Sequence, residues 1–542
     1  MTINARADAE SSINQTGIPA ARIRRNDDGS APNERQPMTT HPMSPVDAAW
    51  YHMDGPANLA MVTGIMLTKE RLDFKTVKAV YKRRWAGFDR FRQRVVERVF
   101  PTPIPQWEDM PNFDIDQHVH QIALPAPHDR AALTALISDI ASSPLDHEQP
   151  LWQVHVIDNV EGGSALITRY HHCIGDGTAM MAAIGRLCDT TRGGSLRATP
   201  ASAARIDRKR AGRTLALSFD SVRRLAGKAL ATAGSAIDSV AHPQHAIDKA
   251  TVILEGAGML AAELLKAPDP QSPLKGPFGM RKHVAWSEPV AIEDVKTIGT
   301  PWGAKVNDVL VAGMTGALRA YLKRRGVDVA HTTVRAMVPV DLRPPERVGE
   351  LGNEFGLVVL DLAVASSDSM DRLATTKRRM DALKRSPEAV ATLVLFDILG
   401  RGPKPLGDFA NEIFGSKASV VMTNVAGPKK TLYLAGVPID RMMFWVPHPG
   451  KQLGMGISIL SYKGMASLAV IADAHLVPDP YAITTRFNRE FAQMLRRVKA
   501  DAATAPGKRT AARKGIRKTA PGPKLAAKRA TRQATATGKA VP

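Results

Sequence analysis

The feature that most constrains this chain is the segment HHCIGDG at residues 171–177. Two adjacent histidines stand just before an Asp-Gly pair, so a titratable base, a carboxylate and a flexible backbone position fall within one short loop. Histidine is the side chain whose ordinary pKa lies closest to neutral pH, as a general base requires. We therefore expect the surrounding chain to present this loop to a substrate.

The segments on either side of the loop predict a β-hairpin before it and a helix after it. Residues 151–158 and 165–170 are rich in β-branched and bulky apolar side chains with partial period-two alternation, and the turn between them contains adjacent glycines. Residues 178–188 are rich in Ala, Met and Leu, which indicates a helix. We expect Thr178 to cap that helix, with Asp176 close to its positive end.

His172 is the candidate general base for a hydroxyl that attacks an acyl carbon. His171 is its structural neighbour, and Gly177 would let the backbone approach a substrate closely. The alternative is that both histidines are ordinary residues at a strand end, but chance recurrence of the complete pattern is rare in a chain of 542 residues. Cys173 could look like a nucleophile, and we interpret it as a packing residue.

This loop resembles the HHxxxDG signature of the coenzyme A-dependent acyltransferase superfamily, which includes chloramphenicol acetyltransferase and peptide synthetase condensation domains. Further motifs resemble the bacterial wax ester synthase/diacylglycerol acyltransferase family. They are PLW at Pro150, Leu151 and Trp152, ND at Asn307 and Asp308, and TNVAGP at residues 423–428. The resemblance covers roughly residues 43–495, beginning with a segment of the SP-x-D type.

The resemblance implies an α/β fold with mixed sheets, in which two chloramphenicol acetyltransferase-like domains form a channel between them. We accordingly predict five regions. They are an N-terminal tail expected to be disordered (1–42), an N-terminal acyltransferase domain with HHxxxDG (43–190), a linker and helical insertion (191–279), a C-terminal acyltransferase domain (280–497) and a basic tail expected to be disordered (498–542).

The resemblance also implies roles for residues outside the loop. The motif aspartate of the superfamily is typically structural and pairs with an arginine, so Arg343, at the end of a predicted strand, is the candidate partner of Asp176. The alternative is that Arg343 pairs with another acid at the surface. Asn307 lies near the start of the helical segment 304–325, where its amide could cap the helix or face a developing oxyanion.

Other segments of the resemblance concern the substrate channel. Asp47, in the opening segment, is expected to cap a short helix. Residues 351–356 (LGNEFG) resemble a family loop near the acyl channel. The chain departs from the family at residues 423–428, which read TNVAGP where SNVPGP is common, and residues 444–450 (FWVPHPG) are a variable segment. The acyl chain length and the acceptor alcohol therefore stay open.

Composition indicates a globular protein of the cytoplasm. Hydrophobic residues make up 44% of the chain, and the two cysteines, Cys173 and Cys188, provide no disulfide framework. We find no signal-peptide pattern and no apolar run long enough to span a bilayer, so any membrane contact is expected to be peripheral, at the inner membrane face or lipid inclusions. Translation could start at Met1, Met38 or Met43.

The basic tail carries about half of the formal net charge of +21. Residues 499–542 contain twelve Lys and Arg residues against one Asp, a net charge of +11. Such a segment could bind an anionic membrane or lipid-droplet surface, which suits an enzyme of lipids, or nucleic acid through non-specific electrostatics. The alternative is a solvated tail that keeps the protein soluble.

The implied reaction is transfer of a long-chain acyl group from acyl-CoA to diacylglycerol, giving triacylglycerol, or to a long-chain alcohol, giving a wax ester. Acyl-CoA is then a substrate, and no cofactor or metal ion is expected. A nearer alternative is another HHxxxDG acyltransferase with a carrier-bound or polyketide acceptor, and a more distant one is a non-catalytic protein that binds lipid or nucleic acid. The oligomeric state stays open.

Overall fold

The computed structural model describes residues 40–97, 104–194, 268–448 and 452–504, apart from a few side chains in one helix. Nearly all of the predicted N-terminal tail lies outside these residues, as do most of the linker and helical insertion and the basic tail beyond residue 504. Among the described helices, none combines the length and the apolar character that crossing a bilayer requires.

The strands within the described residues, labelled in chain order, are β1 (Thr40–Pro42), β2 (Met61–Thr68), β3 (Gln93–Val96), β4 (Gln106–Asp109), β5 (Val119–Ala123), β6 (Trp152–Val160), β7 (Gly163–His171), β8 (Lys282–Trp286), β9 (Val290–Ala291), β10 (Val334–Asp341), β11 (Phe355–Leu362), β12 (Val420–Ala426), β13 (Tyr433–Leu434), β14 (Val437–Trp445), β15 (Met455–Tyr462) and β16 (Met465–Asp473).

The α-helices within the described residues, labelled in the same way, are α1 (Pro45–His52), α2 (Phe74–Val80), α3 (Arg130–Ser142), α4 (Gly177–Leu187), α5 (Ile292–Gly299), α6 (Val306–Arg324), α7 (Ser369–Leu383), α8 (Glu388–Gly400), α9 (Lys404–Lys417) and α10 (Tyr481–Thr504). Short turns of 3-10 and π helix connect several of them.

The predicted hairpin before the histidines is confirmed. Strands β6 and β7 pair antiparallel, with Trp152 opposite Tyr170. In the turn between them Gly162 has a φ of +83°, a conformation that glycine adopts without a steric penalty. A Cβ at Gly163 would lie 2.0 Å from the carbonyl oxygen of Thr68, so only glycine fits where the hairpin meets β2.

Strand β7 lies inside a six-stranded sheet of order β13-β14-β2-β7-β6-β5. Only the β5–β6 pair is parallel, so the sheet is mixed. Strand β14 belongs to the second half of the chain, yet it pairs with β2, with Met443 opposite Ile65. The two halves are therefore interlocked. The domain boundaries at 43–190 and 280–497 stay a prediction. Strand β14 lies within residues 280–497 but forms part of the sheet of the first half.

The second large sheet has the order β11-β10-β12-β15-β16-β8, with β9 also pairing with β16. The pairs β10–β12 and β12–β15 are parallel, so the carboxyl ends of these three strands lie at one edge of the sheet. A continuous hydrophobic core includes buried residues of both halves, such as Leu166 and Ile457. The predicted α/β class with mixed sheets is confirmed.

Candidate active site

The loop of residues 171–177 continues directly from β7 and makes a single 3-10 turn before α4 begins. The backbone N–H of His171 donates to the carbonyl oxygen of Leu151 at 2.9 Å, and that of His172 donates to the carbonyl oxygen of Ala60 at 2.7 Å. The neighbouring strand ends of the first sheet therefore hold both histidines by their backbone.

His172 lines an apolar cavity, and the hydrogen bond that it donates to Asn353 defines its tautomer. The Nδ2 atom of Asn353 donates to Oδ1 of Asp47 and to the carbonyl oxygen of His172, each at 2.8 Å. The amide oxygen of Asn353 is thus the atom that faces Nδ1 of His172, at 3.0 Å. His172 donates from Nδ1, which leaves the Nε2 lone pair available to accept a proton.

Burial keeps this histidine neutral. Only 9% of the residue is exposed, and burial lowers the pKa of His172 below its ordinary value of 6.5. The charge of Asp176 and the hydrogen bond with Asn353 act in the opposite direction but do not reverse the shift. At neutral pH the ring is therefore in the form that a general base needs.

Asp47 connects the start of the chain to this network. The Oγ atom of Ser44 accepts the hydrogen bond that caps α1, so the prediction that Asp47 caps a helix is wrong. The buried carboxylate instead accepts from the backbone N–H of Asn353 at 2.9 Å as well as from its amide, and it pairs with Arg90 at 2.9 Å. Asp47 therefore orients the amide that orients His172.

An aromatic ring fixes the plane of the His172 side chain. Trp50, on α1, stacks on it with ring centroids 4.1 Å apart and an interplanar angle of 16°. Phe355 lies on another side, with its centroid 5.7 Å away. An imidazolium formed during a reaction would lie against the π face of Trp50, which favours the cation.

His171 and Cys173 have buried, supporting environments. Nδ1 of His171 accepts from the backbone N–H of Cys173 at 3.1 Å, its Nε2 faces Asp54 at 3.8 Å, and burial lowers the pKa of His171 to about 4. Burial raises the pKa of the Cys173 thiol well above its ordinary value, so the thiol stays protonated and is a poor nucleophile. In the described ranges, no His, Cys, Asp and Glu side chains form a group of three that could hold a metal ion.

Asp176 and Arg343 form a buried ion pair. Oδ1 of Asp176 accepts from the backbone N–H of Ala179 at 2.9 Å, so Asp176 caps α4 and the prediction that Thr178 caps it is wrong. Oδ2 accepts from Nη2 of Arg343 at 2.7 Å and from the backbone of Glu354 at 3.1 Å. The arginine side chain is 0% exposed and the carboxylate 9%.

The same arginine anchors the loop that carries Asn353. Nη2 of Arg343 also donates to the carbonyl oxygen of Gly352 at 2.7 Å. The backbone of Gly352 in turn exchanges hydrogen bonds with the histidine loop, donating to Ile174 at 3.0 Å and accepting from Asp176 at 3.2 Å. The motif aspartate therefore influences His172 by fixing the loop from which Asn353 reaches the ring.

The PLW motif lies beside the loop but away from the cavity. Trp152 is fully buried, its Nε1 donates to the carbonyl oxygen of Phe91 at 2.9 Å, and its ring stacks on His118 at 4.5 Å. The backbone N–H of Trp152 donates to Pro150 at 2.8 Å, and Leu151 supplies the carbonyl that holds His171. These contacts give the motif a packing and positioning role.

The two residues of the ND motif have different contacts: Asp308 stabilises the start of a helix, and Asn307 contacts the cavity wall. The carboxylate of Asp308 accepts from the backbone N–H of Lys305 at 2.8 Å, which stabilises the start of α6. The amide oxygen of Asn307 accepts from Nδ2 of Asn424 at 2.6 Å. Asn424 lines the cavity, whereas Asn307 is not among the lining residues.

The cavity has a volume of about 220 Å³ and is lined by residues of both halves of the chain. Its wall is rich in methionine, which adapts its shape to a ligand, at Met66, Met180, Met181, Met337, Met442 and Met443. A Cβ at Gly177 would lie 3.1 Å from Cγ2 of Val425, so this glycine allows α4 and β12 to approach closely. A largely apolar cavity with a few polar side chains, such as His172 and Asn424, is typical of a site that binds a small molecule.

His172 is buried at a point where elements of the two interlocked halves of the chain meet. Among solved structures, a wax ester synthase/diacylglycerol acyltransferase from Marinobacter aquaeolei VT8 matches with a TM-score of 0.58 at 19% identity, over 85% of this chain and 100% of that one. The first condensation domain of the calcium-dependent antibiotic synthetase matches with a TM-score of 0.52 at 15% identity, over 84% and 96%. These two likenesses show the fold.

Sequence comparisons show the family. The wax ester synthase/diacylglycerol acyltransferase catalytic domain matches residues 43–310, and the C-terminal domain of the same family matches residues 351–495. A putative diacylglycerol O-acyltransferase of Mycobacterium bovis is 30% identical, over 65% of this chain and 70% of that protein. A probable diacylglycerol O-acyltransferase (tgs1) of Mycobacterium tuberculosis is 28% identical, over 72% and 81%. The chain belongs to the wax ester synthase/diacylglycerol acyltransferase family, as predicted.

Proposed function

We propose that this protein transfers a long-chain acyl group from acyl-CoA to the hydroxyl of diacylglycerol or of a long-chain alcohol, releasing free CoA. The observation that carries the proposal is His172, a neutral histidine with its Nε2 lone pair available beside an apolar cavity. The names of the mycobacterial relatives support diacylglycerol as acceptor, and the name of the Marinobacter protein supports both acceptors. Both are lipids, so contact with a membrane or lipid inclusion belongs to the proposal.

In this mechanism His172 acts first as a base and then as an acid. Nε2 takes the hydroxyl proton while the alcohol oxygen forms a bond to the thioester carbon and the carbonyl electrons move to oxygen. The resulting imidazolium is stabilised by Asn353 and by the face of Trp50. As the tetrahedral intermediate collapses, the carbon–sulfur bond breaks and Nε2 returns the proton to the departing thiolate. No covalent acyl-enzyme is needed.

The developing oxyanion needs a hydrogen-bond donor in the cavity wall. The predicted donor was Asn307, and that role stays a prediction. Its amide oxygen is engaged by Asn424, whose Nδ2 atom carries a second hydrogen and belongs to a residue that lines the cavity. We therefore propose that Asn307 positions Asn424 and that the two amides act together on the oxyanion.

The activity should fall in acid because His172 must be neutral to accept a proton. Burial lowers the pKa of His172, so the neutral form prevails at neutral pH and decreases as the pH drops through a value below 6.5. We expect kcat/KM for palmitoyl-CoA, with diolein as acceptor, to be constant near pH 7.5 and to decline with an inflection below pH 6.5. An inflection above that value would contradict a neutral buried base.

Changing Asp47 to Asn should lower kcat on the order of 100-fold while leaving KM for palmitoyl-CoA nearly unchanged. Without the carboxylate, the amide of Asn353 can turn its NH₂ toward His172 and shift the ring proton to Nε2. Loss of the nearby negative charge also lowers the pKa of His172, so the acid inflection should move to lower pH. Kinetics between pH 5 and 8 would measure both effects.

The matched control is Asp158→Asn, which alters another buried carboxylate, one that pairs with Arg71 and Gln121 at the far end of β6. Its inflection should stay where it is in the wild type. If Asp47→Asn lost activity with no movement of the inflection, Asp47 would have a structural role and no influence on the tautomer.

The acceptor can be identified from the ester that forms. Purified protein would be incubated with palmitoyl-CoA and diolein, hexadecanol or no acceptor, and the lipid products separated and identified by mass spectrometry. We expect palmitoyl-dioleoylglycerol with diolein, hexadecyl palmitate with hexadecanol, or both, and neither ester without acceptor. Free fatty acid as the sole product under all three conditions would contradict acyl transfer to these alcohols.

A further inference from the structure

Four lysines lie at the edge of the seven-stranded sheet where its parallel strands end, and we name them the lysine rim. They are Lys305, Lys429, Lys430 and Lys463, and all four are exposed. They come from separate parts of the chain: the residue before α6, the segment after β12 and the turn between β15 and β16. The active-site loop meets the sheet at this same edge, because Thr178 donates to Asp341, the last residue of β10, at 3.2 Å.

Lys429 and Lys430 follow the cavity wall closely. Val425 and Ala426, the last residues of β12, line the cavity, and the side chain of Val425 approaches Gly177 of the histidine loop. Lys429 is three residues beyond Ala426, so at roughly 3.3 Å per residue it lies within about 10 Å of the wall. These two lysines therefore lie close to the part of the cavity wall that the end of β12 forms.

Lys463 and Lys305 bring further positive charge to the same edge. The backbone N–H of Lys463 donates to the carbonyl oxygen of Pro428 at 3.0 Å, so its turn contacts the segment that carries Lys429. Lys305 precedes Asn307 by two residues, and Asn307 contacts Asn424 in the cavity wall.

Neighbouring acids do not neutralise the positive charge of the lysine rim. In the described part of the chain, none of the four lysines makes an ion pair, although acidic residues are present on the nearby helix α5. Those acids are engaged elsewhere, since Glu293 pairs with Lys296 at 2.6 Å and Asp294 with Lys499 at 3.5 Å. A ligand with several negative charges would find lysines here that have no acidic partner among the described residues.

We propose that the lysine rim binds the phosphate groups of CoA while the acyl chain occupies the cavity; this rests on the proposed function. In acyl-CoA the thioester is separated from the phosphates by the pantetheine arm, so a thioester held at His172 places the phosphates outside the cavity. Diacylglycerol and long-chain alcohols carry no charge. The rim therefore distinguishes the donor from the acceptor. Phosphates of anionic lipids share this chemistry, and the experiment separates the two sources.

The test compares the double variant Lys429→Ala/Lys430→Ala with the control Lys75→Ala/Lys323→Ala, which removes two exposed lysines away from this edge. Each protein is assayed with palmitoyl-CoA and with the palmitoyl thioester of N-acetylcysteamine, which has no phosphate. We expect the rim variant to raise KM for palmitoyl-CoA roughly tenfold, with kcat nearly unchanged. Tenfold corresponds to about 1.4 kcal/mol, or about 0.7 kcal/mol for each of the two exposed charge contacts. KM for the N-acetylcysteamine thioester should not change, and the control should match the wild type with both donors.

An equal rise in KM for both thioesters, or an equal rise in the control, would overturn the rim as a phosphate site. Sedimentation with dioleoylphosphatidylglycerol vesicles measures binding of each protein to anionic lipid. If the rim variant lost vesicle binding and kept its KM for palmitoyl-CoA, the rim would bind lipid phosphates and the proposal would be wrong.

If the wild type transferred acyl groups from neither thioester, the proposed function would fail, and calorimetric binding of CoA would still test the rim. Weaker binding by the variant alone would support it, and equal or absent binding would overturn it.

Discussion

Replacing His172 by alanine is expected to lower kcat about 10²–10⁴-fold, the usual contribution of a general acid–base group. The variant loses the Nε2 lone pair that accepts the hydroxyl proton, and it leaves the amide oxygen of Asn353 without its partner. KM for palmitoyl-CoA should change little, because the apolar cavity that holds the acyl chain is retained. Steady-state kinetics at pH 7.5, with diolein or hexadecanol as acceptor, would measure the loss.

The matched control is His155→Ala. His155 has the same exposed fraction as His172, 9%, but lies on β6 and is not among the residues that line the cavity. Its removal costs packing in the first sheet without touching the proposed chemistry, so kcat should remain within a few-fold of the wild type. Comparable losses in the two variants would mean that His172 supports the fold and does not perform the reaction.

Replacing Arg343 by methionine is expected to destabilise the protein by about 3–5 kcal/mol, since it leaves the buried carboxylate of Asp176 without its cation. Methionine retains most of the apolar stem but donates no hydrogen bonds, so the carbonyl oxygens of Glu350 and Gly352 also lose their donor. The loop that carries Asn353 should loosen, and kcat should fall together with stability. Urea unfolding followed by tryptophan fluorescence, with kinetics on the same samples, would measure both.

A nearby arginine provides the control for this substitution. Arg347 is 52% exposed and pairs with Glu350 and Glu354 at the surface. Because exposed ion pairs contribute little, Arg347→Met should cost less than about 1 kcal/mol and leave kcat almost unchanged. Equal unfolding midpoints for the two variants would show that the buried pair does not fix the loop.

Local patterns in the sequence predicted the parts of the site that lie close together along the chain. Alternation and paired glycines located the hairpin, and the Ala-, Met- and Leu-rich segment located α4, each within one or two residues of the structure. The pairing of Asp176 with Arg343 spans 167 residues, and it was proposed from the family resemblance and not from any local pattern.

The surroundings of His172 could not be predicted in this way. Asp47 and Asn353 are 306 residues apart, and each has an adequate local explanation, one in the first turn of a helix and the other in a glycine-rich loop. Nothing in either segment indicates that they share a hydrogen bond, or that Trp50 stacks on the histidine.

Strand β14 was missed for a related reason. A strand that follows others of the second sheet in sequence is most simply assigned to that sheet. Its alternating side chains can equally pair with β2, and only the three-dimensional structure shows that they do.

The central claim is direct acyl transfer from CoA to an alcohol with His172 as base, and its most direct test is the balance between the two products. Free CoA and new ester would be quantified together, from palmitoyl-CoA with and without diolein or hexadecanol, for the wild type and His172→Ala. We predict acceptor-dependent release of CoA in a one-to-one ratio with ester, and loss of both in the variant. Equal release by the two proteins, or release by the wild type that is independent of acceptor, would contradict it.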